Sequence, residues 1–228
     1  RQPLQRTREY LQIIKQALSG ERVNHEGQFF QLHNFRMASA PVQRDLPVFL
    51  ASLGPRNLEL TGELADGWLP IWVSWQRLAE LKGEVTRAAA GAGRAASSVT
   101  VAPQILCLAA DSPQKLNRAE RLMRNHMAYY IGGMGTYYHS LFCRMGYQEE
   151  ADVVREFWSQ GQRDGAAGAI TEDMLDSITI FGDAAACRAK LERFRNNGAD
   201  LPVVAFPHGA ALREILQTLD ALAPVGDP

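Results

Sequence analysis

Three cysteines in 228 residues leave little from which to build covalent or metal cross-links. Cys107, Cys143 and Cys187 stand far apart, with no CxxC pair, which excludes a disulfide framework and a local zinc motif. His25, His33, His126, His139 and His208 never fall at ligand spacing on one helix, so no metal is expected. Charge of one sign is also lacking. Lys and Arg total 24 against 25 Asp and Glu, a formal net charge of −1 with no field to gather a polyanion, so no nucleic-acid partner is expected. No apolar run approaches the roughly 18–20 residues that span a bilayer. A secretory leader is missing, and sparse thiols suit a reducing compartment, so the expected location is the cytoplasm. The chain opens at Arg1 without Met and passes at once into helical pattern, which reads as the interior of a longer protein.

What is present is apolar: 46% hydrophobic against 21% charged residues, enough for a sizeable core and against disorder. Leu4, Tyr10, Leu11, Ile14, Ala17 and Leu18 form a helical stripe, closed by Gly20. Val23 to Leu32 alternates around Gly27 as a β-hairpin. Four short apolar runs then read as buried strands: 47–51, 67–72, 99–109 and 201–206. Each is followed by a helix, beginning at Pro55, Trp75, Ser112-Pro113 and Ala210. A further helix is expected over Asp183–Asn197, and several shorter ones over 130–181. Strands alternating with helices predict a parallel α/β sheet with right-handed crossovers, and the whole chain reads as one domain.

The stretch Phe49-Leu50-Ala51-Ser52-Leu53-Gly54-Pro55-Arg56 runs from a buried strand through small residues into a helix N-terminus. Free N–H groups and the helix dipole there suit an anion, and small side chains let a phosphate approach the backbone. The same residues would also make an ordinary tight strand-to-helix turn. Trp68, Trp72 and Trp75 could wall a ring pocket or simply fill a core. His208, just after the last strand, stands where a barrel displays functional side chains, or it caps a helix. Tyr137, Tyr138 and His139 suit either a lid or a surface helix face, and Arg144 reads as solvated. Glu63 and Asp66 could be paired carboxylates, though a turn-forming, hydrogen-bonded Asp66 is the simpler reading.

Ala51-Ser52-Leu53-Gly54-Pro55-Arg56, followed by Leu60-Thr61-Gly62-Glu63-Leu64-Ala65-Asp66-Gly67-Trp68, resembles the luciferase-like monooxygenase family. The nearest branch is that of deazaflavin (coenzyme F420) dependent, methylene-tetrahydromethanopterin-reductase-like oxidoreductases. Ser19-Gly20-Glu21-Arg22-Val23, Glu26-Gly27-Gln28-Phe29-Phe30, Gly132 to Tyr138, Arg144-Met145-Gly146-Tyr147 and Phe181-Gly182-Asp183 agree in order. The resemblance implies a (β/α)₈ TIM barrel with the cofactor at the C-terminal strand ends. This chain would cover about the C-terminal four β/α units plus a helical insertion near 130–181. It further implies that Ala51, Ser52, Leu53, Gly54 and Pro55 bind the cofactor's phosphate-bearing tail, with Leu53 standing where some relatives have glycine. Trp72, Tyr137 and His208 are the candidates for the substrate pocket. The family's acid/base residues lie upstream of the matched part, so no catalytic residue is nominated.

The function so implied is hydride transfer between F420 and a small organic substrate. An FMN-dependent monooxygenase of the same family is the alternative, as is a binding module lacking the N-terminal half barrel. Four strands cannot close a barrel of eight, so pairing with a second copy or with a missing N-terminal half is expected. An unrelated phosphate-binding barrel, such as an aldolase or isomerase, would need a Schiff-base lysine or a catalytic carboxylate at a strand end. Lys15, Lys82, Lys115 and Lys190 instead read as helical.

Overall fold

The computed structural model describes residues 2–39, 41–43 and 45–224. They fall into two compact units, Arg1–Ile71 with Ala79–Ala102, and Trp72–Leu78 with Pro103–Pro228.

In the first unit, helix α1 (Pro3–Leu18) starts on a proline and ends before Gly20, whose φ of +81° supplies the left-handed turn expected of it. Leu11, Ile13 and Ala17 are its buried apolar positions. Ile13 and Ala17 pack with Val23 and with Phe30, Leu32 and Met37. Tyr10, expected in the buried stripe, is exposed and leans on Phe30 with ring centroids 5.7 Å apart. Strands β1 (Val23–Glu26) and β2 (Gln31–Phe35) form the predicted antiparallel hairpin.

The hairpin turn closes on a buried carboxylate. Glu9 accepts the main-chain N–H groups of Gln28 (3.0 Å), Phe29 (2.9 Å) and Phe30 (3.2 Å). Burial pushes its pKa up, but these donors outweigh that and hold it below the usual value. Gly27 has no room for a side chain, since a Cβ there would sit 2.3 Å from Glu9 Oε2.

Strands β3 (Phe49–Leu50), β4 (Gly67–Trp68) and β5 (Thr100–Val101) form a parallel sheet in that order. Helix α2 (Pro55–Leu64) follows β3, and α3 (Trp75–Gly91) follows β4. Gly62 lets these helices touch: a Cβ there would lie 2.3 Å from the Val85 carbonyl. Asp66 ties the sheet to α1. It accepts from the Val48 N–H (2.9 Å) and from Lys15 Nζ (2.7 Å), so its carboxylate is structural. Glu63 is paired with Arg8.

In the second unit, β6 (Gln104–Ala109) lies between β7 (Thr179–Gly182) and β8 (Val203–Ala205), all parallel. Helix α4 (Pro113–Ala128) begins at Ser112, whose hydroxyl accepts from the Lys115 N–H as its cap. A π-helical turn (Tyr129–Gly133) ends it. Then come α5 (Tyr137–Arg144), α6 (Gln148–Ser159), α7 (Arg163–Gly168) and α8 (Glu172–Ile178). Helix α9 (Ala184–Asn196), capped by Asp183, and α10 (Leu212–Leu222) complete the unit.

The strands are shorter than the apolar runs that announce them. The run 99–109 breaks at Ala102-Pro103, where proline offers no ladder donor. The run 67–72 stops at Trp68, ahead of Pro70 and of Trp72, whose φ is +57°. Strand β7 was not expected at all. Thr179-Ile180-Phe181-Gly182 is too short for a period to show beside the helices before it.

Candidate functional site

The first candidate is the turn between β3 and α2. Ala51 is exposed, Ser52 is only 4% exposed, and Leu53 and Gly54 are half-buried. Ser52 anchors the turn from beneath. Its carbonyl accepts from Trp68 Nε1 (2.8 Å), and its hydroxyl lies 2.7 Å from that of Thr61. Thr61 already donates to the Asn57 carbonyl (2.7 Å), so the Ser52 hydroxyl is the donor in this pair. Trp68 is thereby a core residue with its N–H satisfied.

Gly54 caps α2 with φ −91° and ψ 150°, and no side chain caps the helix in its place. Its carbonyl takes the N–H groups of Asn57 and Leu58, both at 2.9 Å. Pro55 has no N–H, the first turn carries no acidic residue, and Arg56 is exposed beside it. A Cβ on Gly54 would meet nothing within 4 Å. Neither its backbone angles nor its neighbours therefore require a glycine. What it leaves is open ground before a helix N-terminus, where an anion can approach the backbone. A cleft of about 510 Å³ that Pro55 also borders is lined by Glu59, Glu63 and Glu84 with Arg87, a set of net negative charge.

The second candidate lies within the second unit. Trp72 is 2% exposed, and its Nε1 is sealed with no partner among the described residues. Its ring centroid lies 5.7 Å from that of His126, 5.1 Å from Tyr130 and 6.1 Å from Phe142. His126 stacks on Tyr130 at 5.1 Å and 10°. The exposed His208 sets its ring edge-on to His126 at 4.6 Å and donates its main-chain N–H to His126 Nδ1 at 3.1 Å. Burial, with His208 adjacent, lowers the His126 pKa to about 4, so this imidazole is neutral at physiological pH.

Of the pocket residues expected from sequence, Trp72 and His208 meet through His126. Tyr137 stands further out. It is 48% exposed and reaches the cluster only through Tyr138 (5.4 Å) and Tyr130 (4.7 Å beyond). Trp75 is apart from them, its Nε1 sealed without a partner among the described residues and Arg193 over its ring at 5.7 Å. His139 pairs with Asp152 at 2.7 Å, joining α5 to α6. His126 was not singled out in the sequence, although a polar residue on the buried stripe Ala119, Met123, Met127 was a signal. The four lysines lie on helices, none at a strand end. Among the described residues no three His, Cys, Asp or Glu side chains form a metal site, and no helix is long and apolar enough to cross a membrane.

Parallel strands alternating with helices define an α/β protein. Residues 1–201 match the family described as luciferase-like monooxygenase, and the chain belongs to that family. It is 29% identical, over 93% of its length, to a protein of Mycobacterium tuberculosis named as a coenzyme F420-dependent oxidoreductase, of which it covers 66%. It is 25% identical, over 95% of its length, to the 5,10-methylenetetrahydromethanopterin reductase of Archaeoglobus fulgidus, covering 64% of it. The chain thus spans a little under two thirds of the length of these relatives.

Among solved structures, the coenzyme F420 dependent tetrahydromethanopterin reductase of Methanopyrus kandleri superposes with a TM-score of 0.79 at 23% identity. The match covers 95% of this chain and 61% of that one. An F420-dependent secondary alcohol dehydrogenase gives 0.69 at 15% identity, covering 97% and 61%. The structural neighbours are luciferase-like TIM-barrel enzymes, so the α/β expectation holds at the level of fold.

Proposed function

We propose that this chain supplies the C-terminal β/α units and helical insertion of an F420-dependent oxidoreductase acting on a small organic substrate. The observation that carries the reading is the match to F420-dependent relatives along more than nine tenths of the chain. The site chemistry agrees with it. Bound at the turn in its reduced form, F420 would supply a hydride to the substrate. The protein's own part is to hold and orient.

Ala51 to Pro55 would hold the phosphate of the cofactor tail by main-chain contacts at the α2 N-terminus, with Arg56 adding a positive charge. The donor bond from Ser52 to Thr61 keeps that turn in place, because a loosened anchor would cost orientation at the reacting centre. Trp72, Tyr130 and Phe142 supply an apolar, water-excluding surface in the second unit. Glu63 and Asp66 are committed to Arg8 and Lys15, so neither serves as a general base.

The test is a titration of the protein with F420 and, separately, with FMN, following tryptophan fluorescence. Saturable quenching by F420 is expected. Saturation by FMN alone overturns the choice of cofactor.

A further inference from the structure

His126 carries a feature that its burial alone does not require. An imidazole has two nitrogens, and in the neutral ring one donates while the other accepts. The His208 N–H arrives at Nδ1 at 3.1 Å, so Nδ1 is the acceptor and the proton sits on Nε2. No group among the described residues takes that Nε2 proton. The residue keeps 8% of its surface, and Nε2, unlike Trp72 Nε1, is not sealed from solvent. The ring cannot easily turn to find another partner, being stacked on Tyr130 and flanked by Trp72 and His208.

Two uncommon backbone features border this ring. The π-helical turn begins three residues after His126 and includes Tyr130, the residue on which the ring stacks. Trp72, on its other side, is a non-glycine residue held at φ +57°. Such turns and left-handed residues cost free energy and cluster where geometry serves a ligand. Here both fix the rings that hold His126.

We infer that His126 Nε2–H is the hydrogen-bond donor that positions an uncharged carbonyl oxygen of the substrate, with the carbonyl compound's apolar part against Tyr130. The inference rests on the oxidoreductase reading and deepens it by naming the substrate class. A neutral donor beside aromatic rings suits a ketone or aldehyde better than a carboxylate, for which Trp72 and Tyr130 supply no charge.

The test uses protein labelled with ¹⁵N-histidine and cyclohexanone as the probe, with cyclohexanecarboxylate in parallel. Wild type should show His126 as the neutral Nε2–H tautomer, with a saturable shift of that nitrogen on adding the ketone. His126→Gln can place an amide N–H near the Nε2 position, whereas the shorter His126→Asn can offer its carbonyl near Nδ1 but its N–H does not reach the Nε2 position. The Gln variant should therefore bind the ketone within about threefold of wild type, and Asn and Phe variants about tenfold or more weakly. Retention by Asn with loss in Gln would show that the ring serves only His208, and overturns the inference. So would an Nδ1–H tautomer, no saturable ketone shift, or tighter binding of the carboxylate. F420 quenching of each folded variant is read separately. Its absence in wild type counts against the cofactor while these arms still report on His126.

Discussion

The main-chain N–H of His208 reaches Nδ1 of His126 at 3.1 Å, joining the loop after β8 to the end of α4 across 82 residues of sequence. That bond needs a neutral imidazole, and the low pKa of His126, about 4, agrees with it. An unfolded histidine titrates near 6.5. Between those values the unfolded chain binds a proton that the folded chain refuses, so stability is whole above about pH 6.5 and falls as pH drops toward 4.

Urea unfolding at pH 7 and pH 4.5 measures this directly. Wild type should lose about 2 kcal/mol more than His126→Phe over that interval, the Henderson-type value being reduced for solvent screening. Equal losses in the two proteins would show that His126 does not titrate as described.

Ser52 and Thr61 make an asymmetric pair, because only Thr61 has a second partner for its proton. Thr61→Val leaves the buried Ser52 hydroxyl without an acceptor and should cost about 1–3 kcal/mol. Ser52→Ala leaves Thr61 bonded to Asn57 and should cost less, about 1 kcal/mol. Denaturant midpoints decide the order, and a costlier Ser52→Ala would reverse the donor assignment.

Glu9 and the hairpin turn predict an acid-labile unit. A carboxylate whose pKa is lowered on folding stabilises fully above the unfolded value near 4.3, and that contribution goes as pH falls through the folded value. Glu9→Gln should flatten the acid limb of the stability curve while lowering Tm at pH 7. Gly27→Ala forces a methyl against Glu9 and should cost about 1–3 kcal/mol. Thermal melts of both variants between pH 3 and pH 7 check it.

The parts of the fold legible in the sequence are those written locally. Ser112-Pro113, Gly54-Pro55 and Asp183 each mark a helix start because caps act within three residues, and all three do so here. The small-residue turn at 51–55 was visible for the same reason. Strand lengths were overread, because an apolar run does not mark which residues hydrogen-bond. Phe49–Leu50 is paired, whereas Pro47 and Ala51 of the same run are exposed and Val48 is tied to Asp66 by its N–H and its carbonyl. Glu9 and His126 were passed over because their partners are main-chain N–H groups 19 to 21 and 82 residues away. Side-chain identity leaves no trace of such a donor.

The central claim is that the turn headed by Gly54 receives the phosphate-bearing tail of F420. Gly54→Val tests that role, since the backbone angles suit valine and its Cβ would meet nothing within 4 Å, while replacing the glycine cap should itself cost about 1 kcal/mol. The decisive measurement is F420 affinity of Gly54→Val against wild type by fluorescence quenching, with Tm recorded on the same samples. A folded variant whose Tm falls by no more than that cap loss, with affinity weakened about tenfold or more, is the predicted result. A folded variant with unchanged affinity would contradict it.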